Sequence, residues 1–486
     1  SNKTLISVMN LQISTLSLGV SDFLQPSHIL PSMPIKIVKK FPKAEIFLVG
    51  GAVRDAILGR KTKDFDFVVR GISKNKLEKF LATQGGVNLV GKKFGVFKFV
   101  PKGWKNPEID IALPRTEHSI SLAGIYKDFK IQSNANLKIE DDLSRRDFTI
   151  NSLALNLNTR ELLDPHKGRE DLKNGIIRAI GNPEERFSED GLRLLRACRF
   201  AAQLDFTLEP VTRNGMLRAH KNIGSVSVER IRTELEKILA TARPSKAFHI
   251  MDDTRIMELV LPELTACRGI GSKGPQGYDV LTHSLLACDG APADNLPVRL
   301  AALFHDIGKP SARVVHPEHG ENFYNHEGIS EKIARRILRH YRFPRQIENR
   351  VCRLILHHMF NYTPDWSDAA VRRFLHRVEA EHVQDLILLR RTDHFGTAGH
   401  TAPLADLDEF LLRIDGVMAS QAALSVGDLA VDGNILNAEA GIPKDPSMGK
   451  VMDLLLETVL DDPAQNTREK LVRIAGRIYN TMKGPM

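Results

Sequence analysis

Apolar and polar positions follow three successive textures along the chain. Between Ala44 and Asn158, short apolar runs are separated by turn signals. Ile46-Phe47-Leu48-Val49 ends at Gly50-Gly51, and Ala52 to Leu58 then reads as a helix stopped by Gly59. Phe65 to Val69, Gly95 to Val100 and Ile109 to Leu113 are rich in β-branched and aromatic residues, so the pattern predicts a small mixed sheet. From Asp171 to Leu261 the apolar spacing becomes helical, as in Leu192, Leu195, Phe200 and again in Ile231, Leu235, Ile238, Leu239. A Gly/Pro-rich break, Arg268 to Gly277, precedes a His-rich helical stretch from Val280 to Gly399, and a last helical segment reaches Met486. There is no repeat or low-complexity tract.

With 486 residues, 42% of them hydrophobic, the chain can bury more than one core, which excludes a disordered tail or a short motif. The net charge of +9 permits an acidic partner without naming one. Its distribution says more: Lys36 to Lys105 carries 17 Lys and Arg against 5 Asp and Glu. A second block, Glu331 to Arg353, holds 8 Lys and Arg against 2 acids, a pattern that a solvated helix face also produces. The four cysteines form no CxxC pair and lie in apolar surroundings, as expected of buried thiols in a reducing compartment. Thr4 to Val20 is moderately apolar but interrupted by Ser, Thr, Asn and Gln, so no membrane partner is expected and a soluble cytoplasmic protein is.

Candidate chemistry begins at the glycine turn. Gly50 and Gly51 stand where a strand becomes a helix, so backbone N–H groups and a helix N-terminus can face an anion, with Arg54 one turn further in. Alone, Gly-Gly is as readily a tight turn. Asp64 and Asp66 follow at i and i+2, on one face of a strand and ~6–7 Å apart by strand rise. Such a like-charged pair suits divalent cations, Mg2+ above all, held through oxygen ligands. Asp110, in Glu108-Ile109-Asp110-Ile111-Ala112, is a candidate third carboxylate on a neighbouring strand. Arg145-Arg146-Asp147-Phe148-Thr149-Ile150-Asn151 adds adjacent cations, a carboxylate and an amide, and Glu189-Asp190-Gly191-Leu192-Arg193 opens a helix. Asp190 and Arg193 form either an i,i+3 pair or a donor–acceptor set for the edge of an incoming base; spacing alone does not choose.

These residues carry a resemblance. Leu48 to Asp55, Leu58-Gly59-Arg60, Asp64-Phe65-Asp66, Arg145 to Asn151 and Glu189 to Arg193 look like the ordered motifs of bacterial class II tRNA nucleotidyltransferases and their poly(A) polymerase relatives. The likeness runs from Glu45 to Leu239, where Val228-Glu229-Arg230-Ile231 and Glu234-Leu235 resemble the closing motif of the neck. It implies an α+β chain: a polymerase-β-like head followed by a helical neck and body. It also implies template-free addition of C, C and A to a tRNA 3′ end from CTP and ATP. Position by position, it places metals on Asp64 and Asp66 with Asp110 assisting, and the triphosphate on Gly50, Gly51 and Arg54. Asp147 and Asn151 would meet the ribose and phosphate side, Asp190 and Arg193 the base, with Arg146, Arg196 and Arg199 further nucleotide-binding candidates. Pro114 to Glu140 matches the flexible loop linked to the switch from CTP to ATP. Ser152 stands where the family usually has Ala, and Gly191 where Pro or Ala is common. Poly(A), CC-only and A-only activities share these motifs and remain alternatives.

A second set follows in helical sequence: Thr282-His283, Phe304-His305-Asp306-Ile307-Gly308-Lys309, Asn325-His326-Glu327, Leu356-His357-His358 and Thr392-Asp393. Imidazole with carboxylate suits a transition metal or Mg2+. The order His, His-Asp, His, Asp resembles the HD phosphohydrolase domain, which some tRNA nucleotidyltransferases carry after the body. The likeness makes His283, His305, Asp306 and Asp393 the primary ligands of a divalent Mg2+, Mn2+ or Ni2+, with His326 and His357 next and His358 an equal contender with His357. It implies phosphodiesterase and phosphatase action on RNA ends. The expected division is an extension at 1–34, the head at 35–160, neck and body at 161–265, the HD domain at 266–400 and a helical tail at 401–486. From a different class, the alternatives are a chain acting mainly as a phosphohydrolase, its head merely binding RNA, and a binding protein with both sites inactive.

Overall fold

The apolar run after Ala44 forms β1 (Glu45–Val49), buried at four of its five positions, as a strand covered on both faces must be. The computed structural model describes residues 33–62, 64–90, 96–103, 108–119, 129–133, 135–271, 277–316, 318, 320–400, 404–420 and 423–483. Nearly all of the expected N-terminal extension, the centre of the 114–140 loop, Lys63 and the middle of the Gly/Pro-rich break lie outside them. The chain divides into two compact units, the first ending at Val260 and the second beginning at Leu261.

In the first unit, α1 (Met33–Lys40) leads into β1, and Gly50 turns the chain into α2 (Gly51–Ile57). β2 (Asp66–Arg70), α3 (Lys74–Gln84), β3 (Gly85–Val90), β4 (Val96–Pro101) and β5 (Ile109–Ala112) follow, then a separate hairpin of β6 (Arg115–Ser119) and β7 (Phe129–Ser133). After α4 (Ile139–Ser144) and a single helical turn at Thr149–Asn151, β8 (Ala154–Asn156) and β9 (Leu162–Leu163) complete a sheet of seven strands in the order β3-β4-β5-β2-β1-β8-β9. The expected sheet is therefore mixed, since β2 and β5 run parallel. It is larger than expected, because the Gly-initiated β3 and the two short strands after Leu153 carry little alternation. Phe47, Val49, Val68 and Ala154 pack with Ile139 and Leu143 of α4 on one face.

The neck is helical: α5 (Gly168–Asn174), α6 (Pro183–Glu189), α7 (Leu192–Leu204), α8 (Pro210–Ala219), α9 (Val228–Leu239), α10 (Pro244–Asp253) and α11 (Met257–Val260), with two-residue strands β10 (Ile176–Ile177) and β11 (Thr207–Leu208) paired in parallel. α7 is its axis, buried at 11 of 13 positions and packed against α9 and α10. Gly191 caps its start in a crowded place: a Cβ there would lie 2.2 Å from the Asn222 carbonyl oxygen. That close approach accounts for Gly where the family commonly has Pro or Ala. Ser152, the other departure, is fully buried and donates its hydroxyl to the Leu143 carbonyl.

The second unit contains α12 (Pro262–Thr265), α13 (Val280–Gly290), α14 (Leu296–Phe304), α15 (Lys309–Ala312), α16 (His326–His340), α17 (Arg345–His357), α18 (Asp368–Val378), α19 (Val383–Ala398) and α20 (Ala405–Ala419). The tail adds α21 (Gly433–Ala440), α22 (Pro446–Asp461) and α23 (Arg468–Met482), closed around Leu436, Val451, Leu455, Val459 and Leu471. The His-rich stretch is not wholly helical: β12 (Arg313–His316) and β13 (Gly320–Phe323) form an antiparallel hairpin, favoured by the β-branched Val314-Val315. α13 and α19 approach unusually closely, because a Cβ on Gly396 of α19 would lie 2.7 Å from the His283 carbonyl oxygen of α13. Gly396 lies in the last turn of α19, where a glycine costs less than the ~1 kcal/mol of a helix interior, and the packing it permits offsets that.

Candidate functional site

The register of the head sheet assembles the first site. Val49 of β1 pairs with Asp66 of β2, Asp66 with Asp110 of β5, and Asp110 with Lys98 of β4, so one row across four strands ends in charge next to the glycine turn. Asp64 lies just ahead of β2, exposed like Asp66. Restricted hydration in the cleft holds the Asp66 carboxyl above the ordinary carboxylate range; Arg146 opposes the rise, and the charges of Asp110 and Asp64 add to it. Lys98, which sequence reading passed over, donates to Asp110 across 3.2 Å and lies 3.5 Å from Glu108.

A wall of arginines faces these carboxylates. Arg54 is buried; it bonds Asp55 and donates to the Asn151 side-chain oxygen across 2.8 Å. Asn151 donates to Asp147 across 3.1 Å, and Asp147 accepts from Arg196 at 2.7 Å and from the Phe148 N–H at 2.8 Å. Burial alone would raise the Asp147 carboxyl, yet the Arg196 charge and these bonds hold it below its ordinary value. The guanidinium carbons of Arg54, Arg196 and Arg199 stand 5.1, 5.3 and 4.0 Å from the centre of the Phe200 ring, and Arg199 is bound by the buried Glu234 of α9. Phe200 thus orders three cations, a role its apolar spacing did not disclose. Asp142 of α4, fully buried, accepts from Arg145 at 2.7 Å and from Arg146 at 3.3 Å. The three- and four-residue spacing from Asp142 to the two arginines is a helical pairing signal that the sequence carried.

Two expectations change. The Gly50 N–H donates to the Leu153 carbonyl, so it does not point at an anion. What Gly50 supplies is a left-handed φ of 69° and room, since a Cβ there would lie 2.7 Å from Nη1 of Arg146. Nor are Asp190 and Arg193 an ion pair. Asp190 accepts from the Leu192 N–H and from Arg230, whereas Arg193 donates to Glu189 and to the Arg186 and Arg145 carbonyls. Even so, Gly50, Gly51, Arg54, Asp64, Asp66, Asp110, Arg146, Asp147, Asn151, Asp190, Arg193, Arg196 and Arg199 all line one open cavity of about 1470 Å³.

The second unit gathers its own cluster. Nε2 of His283 lies 3.1 Å from Nε2 of His305 and 3.1 Å from Asp393 Oδ1, and His305 Nε2 lies 3.4 Å from Asp306 Oδ2. On the other side of Asp306, His326 Nε2 is 3.2 Å and His358 Nε2 3.8 Å from Oδ1. The imidazoles of His305, His326 and His358 donate Nδ1–H to the carbonyls of Ala302, Phe323 and Ile355 at 2.7–2.9 Å, which fixes each ring and turns its Nε2 inward. Nε2 of His326 and Nε2 of His358 lie 3.4 Å apart. Burial opposes charge on His305, but the Asp306 and Asp393 carboxylates beside it raise its pKa to about 10, while burial and the His305 charge push His358 down to about 4. Lys309 Nζ meets Asp306 Oδ2 at 2.5 Å.

His357 is the sequence candidate that the structure leaves out. One helical step turns neighbouring side chains about 100° apart. At the end of α17 that step sends His358 into the cluster and His357 toward Arg353 and Arg377, where burial lowers its pKa to about 4. His358 stands in its place. All four cysteines are free and buried, and burial pushes the Cys267, Cys288 and Cys352 thiols up to about 12. Among the described residues no helix is long and apolar enough to cross a membrane.

Comparison with known proteins matches three family models. A poly A polymerase head domain covers residues 46–178, a probable RNA- and SrmB-binding site of polymerase A covers 205–268, and an HD domain covers 278–397. A protein of Xanthomonas oryzae named Multifunctional CCA protein is 33% identical over 409 residues, 80% of this chain and 93% of the relative. Its namesake in Stenotrophomonas maltophilia is 34% identical over 400 residues, 79% and 92% of the two chains. Among solved structures, the Bacillus stearothermophilus CCA-adding enzyme in complex with CTP aligns with a TM-score of 0.67 at 22% identity, over 92% of this chain and 96% of its own. The Thermotoga maritima CCA-adding enzyme complexed with tRNA aligns at 0.54 and 21%, over 95% and 98%.

Proposed function

The chain belongs to the CCA-adding tRNA nucleotidyltransferase family with an HD domain, and from that premise we propose that it extends the 3′ end of tRNA with C, C and A drawn from CTP and ATP. One observation carries the reading: three carboxylates at the end of the head sheet and an ordered arginine wall share a cleft of about 1470 Å³. That is room for a nucleotide and a strand end together, since small-ligand sites span ~300–1,000 Å³. In each addition the terminal 3′-hydroxyl oxygen bonds to the α-phosphorus, pyrophosphate leaves, and the hydroxyl proton is given up.

We assign Asp64, Asp66 and Asp110 to holding Mg2+. The donors fit, since all are carboxylates and Asp66 sits among like charges that a cation would relieve. When bound, the ion would lower the cost of the attacking oxyanion and of the leaving pyrophosphate. Gly51, Arg54, Arg146, Asp147, Asn151, Arg196 and Arg199 would orient the triphosphate and ribose, with Gly50 making the turn and the room for Arg146, and Asp190 with Arg193 would select the base in place of a template. Arg54 acts within this set as a brace for Asn151.

For the second site we assign His283, His305, Asp306 and Asp393 to one divalent ion, with His326 and His358 across Asp306 able to hold another. The fit rests on four imidazole Nε2 atoms turned inward on the Asp306 and Asp393 carboxylates at 3.1–3.8 Å. Mixed imidazole and carboxylate donors suit Mn2+ or Ni2+ better than Mg2+. A bound ion would activate water for hydrolysis. On a 2′,3′-cyclic phosphate, water adds across one P–O bond, and the released ribose oxygen takes a proton. The five-part domain division and a cytoplasmic location, consistent with four unpaired thiols, belong to the same proposal.

Incubating tRNA that lacks its terminus with CTP and ATP tests the first activity. Growth by three residues and then arrest is expected. Long A-tails without CTP would make it a poly(A) polymerase, and a stop after CC or after a lone A a partial enzyme.

A further inference from the structure

The wall of the His/Asp cluster has two sides. Toward the imidazoles, Asp393 Oδ1 meets His283 at 3.1 Å and borders a cavity of about 200 Å³ that also holds Asp306 and Lys309. Away from them, Asp393 Oδ2 accepts from Arg390 at 3.0 Å and borders a second cavity of about 350 Å³, lined by Tyr362, Asn361 and His394. The two cavities share Asp393 and Thr397, one turn apart on α19. Neither Arg390 nor His394 nor Asn361 has a part in the hydrolytic chemistry assigned above.

The larger cavity has the chemistry of a nucleoside site. Its volume lies within the range of small-ligand pockets. One wall is a fixed aromatic ring: Tyr362 stacks on Phe410 at 4.2 Å between centres and donates its hydroxyl to Glu409. The ring is buried, with Phe410 stacked on it and the Arg413 guanidinium 6.0 Å from its centre, so it gives the cavity a rigid apolar edge for a base to pack against. The Asn361 amide and the His394 imidazole supply both donors and acceptors for a base edge or ribose hydroxyls. Arg390 adds a cation between this space and the cluster, where a phosphate group would lie.

We propose that this cavity is the subsite for the terminal nucleoside of an RNA end whose phosphate is presented to the His/Asp cluster. The assignment rests on the hydrolase reading of that cluster and extends it from a bare phosphoester to a nucleoside-bearing one.

The test compares substrates with and without a nucleoside. The full-length protein, supplied with Mn2+ or Ni2+, is assayed on 2′,3′-cyclic AMP and CMP, on a short RNA ending in a 2′,3′-cyclic phosphate, and on bis(p-nitrophenyl) phosphate. His394→Ala and Asn361→Ala should each raise KM for the nucleoside-bearing substrates by roughly tenfold. The ratio of their kcat/KM to that of bis(p-nitrophenyl) phosphate should fall in step. Equal losses on all substrates, or no change in the ratio, would overturn the subsite, and a shift seen with mononucleotides but absent with the RNA would overturn its assignment to an RNA end. Wild-type protein that hydrolyses none of them would instead remove the hydrolase reading. Binding of 3′-CMP with the head saturated by CTP then decides the subsite on its own: weaker binding by His394→Ala supports it, and equal binding refutes it.

Discussion

In the first unit the three candidate carboxylates stand at the end of a sheet, Asp64 and Asp66 exposed and Asp110 half-buried, in a cleft of about 1470 Å³. In the second, His305, Asp306, His326 and His358 are buried, and their donor atoms come from the ends of packed helices. The difference follows from what each place must admit. Nucleotide transfer brings a triphosphate, a base and a strand end together, so the head leaves its carboxylates open to a wide cleft and faces them with arginines ordered on Phe200. The hydrolysis proposed for the second site needs only the ester and water at the ligands themselves, so the helical cluster can be tight, nitrogen-rich and fixed by Nδ1 bonds to the backbone. Openness favours hard, readily exchanged cations; enclosure with imidazole favours retained ones.

The comparison predicts independent chemistries, and a crossed pair of variants is the strongest way to break it. Asp66→Ala should remove several kcal/mol of transition-state stabilisation, about a thousandfold in nucleotide incorporation, while hydrolysis of a 2′,3′-cyclic nucleotide stays within about twofold. Asp306→Ala should do the reverse. Parallel initial-rate assays on both substrates read this directly; a variant that disables both activities would mean the sites are not separate.

Retention of metal separates His358 from His357. Dialysed against buffer and assayed by elemental analysis, His358→Ala should bind Mn2+ or Ni2+ at least about tenfold more weakly, since a ligand with a carbonyl-fixed tautomer is lost. His357→Ala should hold metal like the wild type. Equal loss in both would return His357 to the ligand set.

That pair also marks where the sequence stopped being readable. His357-His358 is one motif on the chain, and which of them turns inward depends on the end of α17 against its neighbours. Asp66 and Asp110 were legible because alternation along a strand is local, whereas Asp64, expected on the same strand face as Asp66, stands ahead of β2 and was not placed by alternation. Lys98 was not legible: it reaches Asp110 only through the β4–β5 register, which no short stretch encodes. The β12–β13 hairpin was lost inside a region read by its histidines, although Val314-Val315 signalled it. Gly396 looked like an ordinary helix residue until the closeness of α13 showed what it permits.

Base choice gives a smaller effect. Asp190→Ala should lower discrimination of CTP and ATP against UTP and GTP by roughly tenfold, the worth of one charge-assisted hydrogen bond. It should do so with incorporation retained, because Asp190 touches the Leu192 N–H and Arg230 and none of the three carboxylates. Competition assays measure the ratio, and unchanged preference would remove Asp190 from base selection.

The last effect, on stability, concerns the scaffold beneath the arginine wall. Burial would raise the Asp142 carboxyl, but the charges of Arg146 and Arg145 outweigh it and hold the group below its ordinary value. A carboxylate depressed in the folded state stabilises the fold above its unfolded pKa of ~3.9, and that contribution is lost as pH falls through the folded value. Asp142→Asn should therefore cost about 1.5 kcal/mol at pH 7, the low end for a charged hydrogen-bond acceptor. The cost is small because Arg145 and Arg146 keep 16% and 19% of their side-chain surface in water. Urea midpoints of variant and wild type should converge as pH drops below about 4. A gap that persists at low pH would show that Asp142 acts through packing and not through its charge.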